Sequence, residues 1–309
     1  MCRNPRWLPL ITGLAIASAL AVGAATLAAR AAPLAQGTAA PGSLSIAYPS
    51  NGAVVTTTDI PVRVTVSNFT IACDEAGAPS RDGVGHIHVM LNGMTMAQLT
   101  NFYCSQQFTI SGQGLQPGQH TLIADLSNNA HLDMMDMAQS VTFVYQPSAA
   151  PAGLPQPGPA TGASVRIAEP ADGATVGPSF NLSVQAPSFT ASCDLEGKRN
   201  VMGYGHYHVF VDQDPVRMMQ MMGGDHSMPT GDMGGDHQMM GDHLDMMEMP
   251  GMISMPCASS IPVDLSAWPS GPHTIAVELE QNDHTPLMEP GQGPKFHLIR
   301  INLQNPFRP

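Results

Sequence analysis

Short runs of Val, Ile, Leu, Phe and Tyr recur along the chain in alternation with polar residues, each closed by Pro, Gly, Asn or Asp. Period-two alternation between turn residues predicts β-strands, most clearly at 62–66, 87–91, 121–126 and 141–145, and again at 181–184, 207–211, 274–279 and 296–301. Six or seven strands in roughly 100 residues is the density of a small sandwich domain. The expected fold class is therefore all-β, with two tandem immunoglobulin-like β-sandwich domains.

The two halves are copies of one another. Ile46-Ala47-Tyr48-Pro49 with Asn51-Gly52-Ala53 returns as Ile167-Ala168-Glu169-Pro170 with Asp172-Gly173-Ala174. Ser67-Asn68-Phe69-Thr70 with Cys73-Asp74 returns as Pro187-Ser188-Phe189-Thr190 with Cys193-Asp194. Gly85-His86-Ile87-His88-Val89 returns as Gly205-His206-Tyr207-His208-Val209, and Gly118-Gln119-His120-Thr121 as Gly271-Pro272-His273-Thr274. The spacings agree: 13 residues from first Cys to first His, 16 from second Cys to third His and 11 from third to fourth His, in both copies. Only one interval differs, His88 to Cys104 being 16 residues and His208 to Cys257 being 49. The second copy thus carries a long insertion in a loop of a preserved fold.

Repeat 1 is placed at 44–146 and repeat 2 at 164–304, the latter with a Met/Asp/His-rich insertion at about 212–255. Between them, 147–163 holds Pro147, Pro151, Pro155, Pro157 and Pro159, the composition of an extended spacer between separate domains. Ahead of repeat 1, Arg3 and Arg6 precede an apolar run over 8–29, and Ala29-Arg30-Ala31 offers the small residues a signal peptidase reads. Residues 1–31 therefore read as a secretory signal peptide. The run is also long enough to span a bilayer, so an uncleaved anchor is the alternative, and membrane association is expected only then.

Acids outnumber bases 24 to 12, which disfavours a nucleic-acid partner and favours cations. In an exported chain, Cys73 with Cys104 and Cys193 with Cys257 read as one disulfide per repeat; thiolate metal ligation is the competing reading, without CxxC spacing to support it. Strand alternation puts His86 and His88 on one face, and His206 and His208 likewise, with Ile87, Val89, Tyr207 and Val209 on the other. His131 and His284 follow strand-like runs that His120 and His273 open. If strand ends meet, each repeat gathers three or four imidazoles, a donor set for Cu(II) or Zn(II). For His120 and His273, a simple bond to backbone at the strand entry is the alternative.

Of 22 methionines, thirteen lie between Met218 and Met255. Met218, Met219, Met221 and Met222 lead into three Gly-Asp-His units at His226, His237 and His243, interleaved with Met228, Met233, Met239 and Met240 and followed by Met246, Met247 and Met249. Thioether sulfur is soft and selects Cu(I), and imidazole accepts either copper oxidation state. The heptapeptide from His131 through Met134, Met135 and Met137 nearly repeats 243–249, although the repeat register aligns His131 with His284. A flexible apolar interaction loop is the other way to read such a segment.

On these residues, 218–255 resembles the Met/His/Asp-rich segments of bacterial periplasmic copper-resistance proteins. The repeats resemble bacterial secreted sandwich domains carrying Gly-His-x-His and His-Thr elements. The Gly-His-x-His element is also similar to the copper strand of copper-zinc superoxide dismutases, without their zinc-loop spacing. These resemblances imply export and metal handling. The expected function is an exported, periplasmic or extracellular copper-binding protein for sequestration or transfer, taking Cu(I) at the Met-rich loop and Cu(II) or Zn(II) at the His sites. Its expected partners are the metal ion and an envelope copper transporter or oxidase. The alternatives are an adhesion or interaction module and a dismutase-like copper enzyme. No Gly-x-Ser-x-Gly, phosphate-binding glycine loop or His-Glu-x-x-His is present, so no enzymatic turnover is expected.

Overall fold

The structure, a computed structural model, describes residues 41–159, 161–222 and 249–309, with side chains left out at 219–222. The signal segment 1–31 and most of the insertion, 223–248, lie outside the described residues.

Repeat 1 consists of β1 (Ser43–Tyr48), β2 (Val54–Val55), β3 (Ile60–Ser67), β4 (Thr70–Ile71), β5 (Val84–Leu91), β6 (Leu99–Tyr103), β7 (Gln107–Ile110), β8 (Gly118–Asn128) and β9 (Gln139–Tyr145). One sheet has the order β1-β3-β7; the other runs β2-β9-β8-β5-β4, with β6 added on β5. Repeat 2 consists of β10 (Arg166–Glu169), β11 (Ala174–Val176), β12 (Ser179–Gln185), β13 (Thr190–Ala191), β14 (Tyr204–Val211), β15 (Met252–Ser254), β16 (Ser260–Asp264), β17 (Gly271–Glu280), β18 (Met288–Glu289), β19 (Gly293–Pro294) and β20 (Phe296–Leu303). Its sheets are β10-β12-β16 and β11-β20-β17-β14-β13, with β15 on β14, so the topology is duplicated strand for strand, and β18-β19 forms an added hairpin. Helix α1 (Pro215–Met222) opens the insertion.

Each sandwich buries one face of each sheet. Along β3, Ile60, Val62 and Val64 point inward while Arg63 and Thr65 face water. They meet Ile87, Val89, Leu122, Leu126, Phe143 and Tyr145 of the opposing sheet. Repeat 2 builds the same core from Leu182, Val184, Tyr207, Val209, Ile275, Val277 and Ile299. The expected disulfides join Cys73 to Cys104 and Cys193 to Cys257, each with Cα atoms 5.5 Å apart, so their thiolates are not available to a metal.

Strand β5 breaks the alternation: all eight of its residues are buried. The reason is that the second face of the larger sheet in one repeat is covered by the other repeat. Met90, Leu99 and Ile123 of repeat 1 pack with Phe210, Met218, Met249, Met252, Met255 and Ala276 of repeat 2 in one apolar cluster. Backbone bonds cross the same boundary, from Met249 N to Ala130 O and from Gly251 N to Gly77 O, both 3.0 Å. Side chains add Asn101 Nδ2 to Glu196 Oε2 at 2.7 Å and Lys198 Nζ to Ser111 O at 2.8 Å. The Pro-rich segment therefore does not hold the copies apart. It lies along them, with Ala152 O accepting from Gly114 N and Gly158 N donating to Met202 O, each at 2.7 Å. Burying an apolar sheet face stabilises by about 1.5–3 kcal/mol per large side chain, which outweighs the freedom an extended linker would keep.

Candidate metal centres

In both copies the Gly-His-x-His strand serves two purposes. A Cβ built on Gly85 would overlap the carbonyl oxygen of Ser127 on β8, and one on Gly205 would overlap that of Glu280 on β17. Glycine is thus required for close strand approach. The alternate residues that follow project His86 and His88, or His206 and His208, from the sheet face that meets the other repeat, as alternation predicts.

The third imidazole arrives from the turn after β8 or β17. His131 and His284 both adopt left-handed backbone conformations, with φ of 63° and 59°. Asn128 Oδ1 fixes the first of these turns by accepting from Ala130 N at 2.9 Å and Leu132 N at 3.0 Å. Three nitrogens then converge in each repeat. His86 Nε2, His88 Nε2 and His131 Nδ1 are separated by 3.1, 2.9 and 3.3 Å. His206 Nε2, His208 Nε2 and His284 Nδ1 are separated by 3.1, 3.0 and 3.3 Å. Ligand nitrogens about 2.0–2.1 Å from a tetrahedral ion stand about 3.3 Å from one another, so both triangles have the size of a three-nitrogen metal site.

The chemistry of the donors agrees with the geometry. His131 Nε2 donates to Met252 O at 2.8 Å and His284 Nε2 donates to Leu99 O at 2.7 Å. A carbonyl only accepts, so in the neutral ring Nδ1 carries the lone pair, and that lone pair faces the other two histidines. His88 Nδ1 lies 2.6 Å from Asp133 Oδ1, close enough for an ion-pair contact although off the line of a good hydrogen bond. Asp125 completes a second group with His88 and Asp133, and both of its carboxylate oxygens are buried without a partner. In repeat 2, His208 Nδ1 is 3.6 Å from Glu280 Oε1, and Glu278 sits opposite His208 in the β14-β17 ladder. Carboxylates behind ligating imidazoles orient the rings and raise their basicity. The Phe102 ring packs over the first triad, with centroids 4.7 Å from His86 and 5.2 Å from His131.

Burial and neighbouring imidazoles hold most of these rings neutral. Desolvation lowers His131 to about 3 and His284 to about 4, and carries His86, His206 and His208 well below the ordinary imidazole value. Burial opposes the charge of His88 as well, but the Asp133 and Asp125 carboxylates outweigh it and raise that ring. Burial raises Asp125 and Glu278 to about 7. The metal-free unfolded chain takes up protons on its imidazoles below about pH 6.5, whereas folded His131 and His284 do so only near 3 and 4. These two residues therefore weaken the fold as pH falls through that window. Asp125 and Glu278 have the opposite sign: their protonated folded forms favour the fold at low pH, and that contribution fades as pH rises from about 4 to 7. Imidazole ¹⁵N spectra of the metal-free protein are expected to show His131 and His284 as neutral Nε2–H tautomers, unchanged from pH 7.5 to 5. Titration of both near 6.5 would contradict this.

His120 and His273, the other candidate ligands, are not brought to the triads. His120 spends its nitrogens on Asn92 and on Gln116 O at 2.8 Å; His273 spends its own on Asp212 Oδ2 at 2.7 Å and Pro269 O at 2.9 Å. Both hold the strand entry, as the backbone-bonded alternative has it. Met218 and Met249 are buried in the inter-repeat cluster, and Met134 packs against the core of repeat 1. Packing accounts for all three. Met135 and Met137 lie on a short 3₁₀ turn, Met135–Met137. Met219, Met221 and Met222 fall on α1, where only Met218 and earlier side chains are described. His226, Met228, Met233, His237, Met239, Met240, His243, Met246 and Met247 lie outside the described residues.

Sequence reasoning missed the four carboxylates, Phe102 and the two orienting carbonyls. The spacing His131-x-Asp133 was visible but is masked by the methionines beside it. The carbonyls carry no sequence signal, because any residue supplies one.

Each repeat is thus an immunoglobulin-like sandwich carrying a buried group of three histidines that could hold a metal ion, with Asp125 and Asp133 beside the first. No family model matches the chain and no curated protein matches it. Among solved structures it is similar to the fibronectin(III)-like modules of Clostridium thermocellum CbhA, at 10% identity and a TM-score of 0.23, over 85% of this chain and 94% of that one. It is also similar to three N-terminal domains of the bacteriophage RB49 outer capsid protein Hoc, at 11% identity and a TM-score of 0.19, over 86% and 70% of the two chains. Likenesses this distant carry no function. Among the described residues no helix is long and apolar enough to cross a membrane.

Proposed function

We propose that the protein binds copper in the cell envelope and serves its sequestration or transfer, without turnover, in the periplasm or outside the cell. The observation that supports this most is the duplicated triangle of imidazole nitrogens, with the Nδ1 lone pair of His131 or His284 fixed toward the other two rings. Buried imidazole nitrogens about 3 Å apart need a proton or a cation between them, and a metal ion would satisfy all three at once. Copper is favoured by the Met/Asp/His composition of the insertion, which supplies soft donors suited to Cu(I). Disulfides accord with an oxidising compartment, where an envelope copper transporter or oxidase is the expected partner. Zinc is the second reading, favoured by the carboxylates behind His88 and His208.

The test is copper and zinc content of the full chain purified from copper-supplemented cells, compared with a variant whose methionines within 223–248 are leucine. The substitutions stop at 248, because Met249, Met252 and Met255 fill the inter-repeat core. The wild type is expected to hold two ions that survive dialysis plus further Cu(I), and the variant to keep only the two. Wild type holding no more metal than a variant that lacks both His-x-His pairs and the methionines within 223–248 would overturn the proposal.

A further inference from the structure

We infer that the two triads load as one coupled unit, because each repeat orients the third imidazole of the other; this rests on the metal reading above. His131 belongs to repeat 1, but the carbonyl that fixes its ring is Met252 O on β15 of repeat 2. His284 belongs to repeat 2, and its carbonyl is Leu99 O on β6 of repeat 1. Strand β15 pairs with β14 through Phe210 and Met252, two residues beyond His208. Strand β6 pairs with β5 through Met90 and Leu99, two residues beyond His88. Each triad is therefore joined to the other by one hydrogen bond and one ladder step, in both directions.

Two glycines make this approach possible. Gly77 (φ 78°) donates from its N to Asn129 O at 2.6 Å, within the turn that carries His131, and a Cβ there would stand 2.7 Å from Gly251 C and 2.9 Å from Met252 O. Gly197 (φ 68°) donates to Asn282 O at 2.8 Å in the His284 turn, and a Cβ there would stand 2.7 Å from Leu99 O and 2.9 Å from Gln98 O. A methyl at either place pushes on the carbonyl that orients the imidazole. An ion at one triad withdraws electron density from its third ring, strengthens the Nε2–H to carbonyl bond and holds the partner repeat in the docked position. That position is the one in which the second triad is assembled, and linkage requires the effect to be mutual.

Zinc alone is the probe, titrated into the full chain against a chromophoric chelator, since it takes nitrogen donors without redox change. Wild type is expected to fill both triads in one steep transition. In H206A/H208A the remaining triad is expected to bind about tenfold more weakly than the wild-type midpoint. Gly77→Ala and Gly197→Ala are each expected to weaken uptake by a similar factor and to shift the Nε2–H signals of His131 and His284. Gly52→Ala, also left-handed (φ 74°) but with nothing within 4 Å of its Cβ, controls for backbone strain and should leave binding unchanged. Independent filling, or wild-type affinity at the triad left in H206A/H208A, overturns the coupling and leaves the metal reading standing. Absence of zinc uptake by every form, wild type included, overturns both.

Discussion

His86→Leu is expected to abolish ion retention at the first triad while costing the metal-free protein no more than about 1 kcal/mol. The asymmetry follows from the ring's partners. His86 Nδ1 is buried with no hydrogen-bond partner, and its Nε2 meets only the other two imidazoles. Replacing it strands no carboxylate or carbonyl and removes a desolvated polar group, so the net loss is at most that of one hydrogen bond. Metal binding loses one of three nitrogens. If a site of this kind is worth roughly 10–16 kcal/mol at neutral pH, a one-third share is several kcal/mol, a fall of at least a hundredfold. His206→Leu should behave alike in repeat 2. Thermal unfolding with and without zinc, together with ions per chain after dialysis, checks both halves of the expectation. A metal-free loss above 2 kcal/mol with full metal content would make these histidines structural.

Gly85→Ala is expected to show the reverse pattern, with a large loss of stability whether or not metal is present. Its Cβ would occupy the space of the Ser127 carbonyl oxygen, which belongs to backbone and cannot rotate away. Strands β5 and β8 would have to part at the centre of the larger sheet, and overpacking of that sort costs about 3 kcal/mol or more. For a unit of this size that is a fall in Tm of roughly 6–12 °C. Gly205→Ala against Glu280 is the matched case. A Gly85→Ala protein that melts like wild type would mean that β5 and β8 do not approach this closely at Ser127.

The fold and half of each centre were legible in the chain itself. Strand periodicity and the duplicated spacings led to the sandwich topology, the disulfide pairs and the shared face of His86 with His88, because those properties are local or reflect register. That His131 and His284 join the triads was an open expectation, since it depends on where a turn ends in space. The docking of the repeats was misjudged. Pro147 to Pro159 read as a spacer, but the burial of both faces of β5 is a tertiary fact, signalled in the chain only by the scarcity of polar residues other than His86 and His88 across Val84–Leu91. Two of the methionines turn out to be packing residues. Met218 and Met249 looked like donors by composition, yet the same apolar, adaptable side chain serves to fill the uneven gap between two sheets.

The cross-repeat contacts are reciprocal: Gly77 meets Met252 as Gly197 meets Leu99, and His131 leans on repeat 2 as His284 leans on repeat 1. Such i-to-j and j-to-i exchange is the signature of a two-fold dimer, here written on a single chain. Tethering the halves makes their association intramolecular. Assembly of both centres is then set by the chain alone, and dilution does not dissolve it.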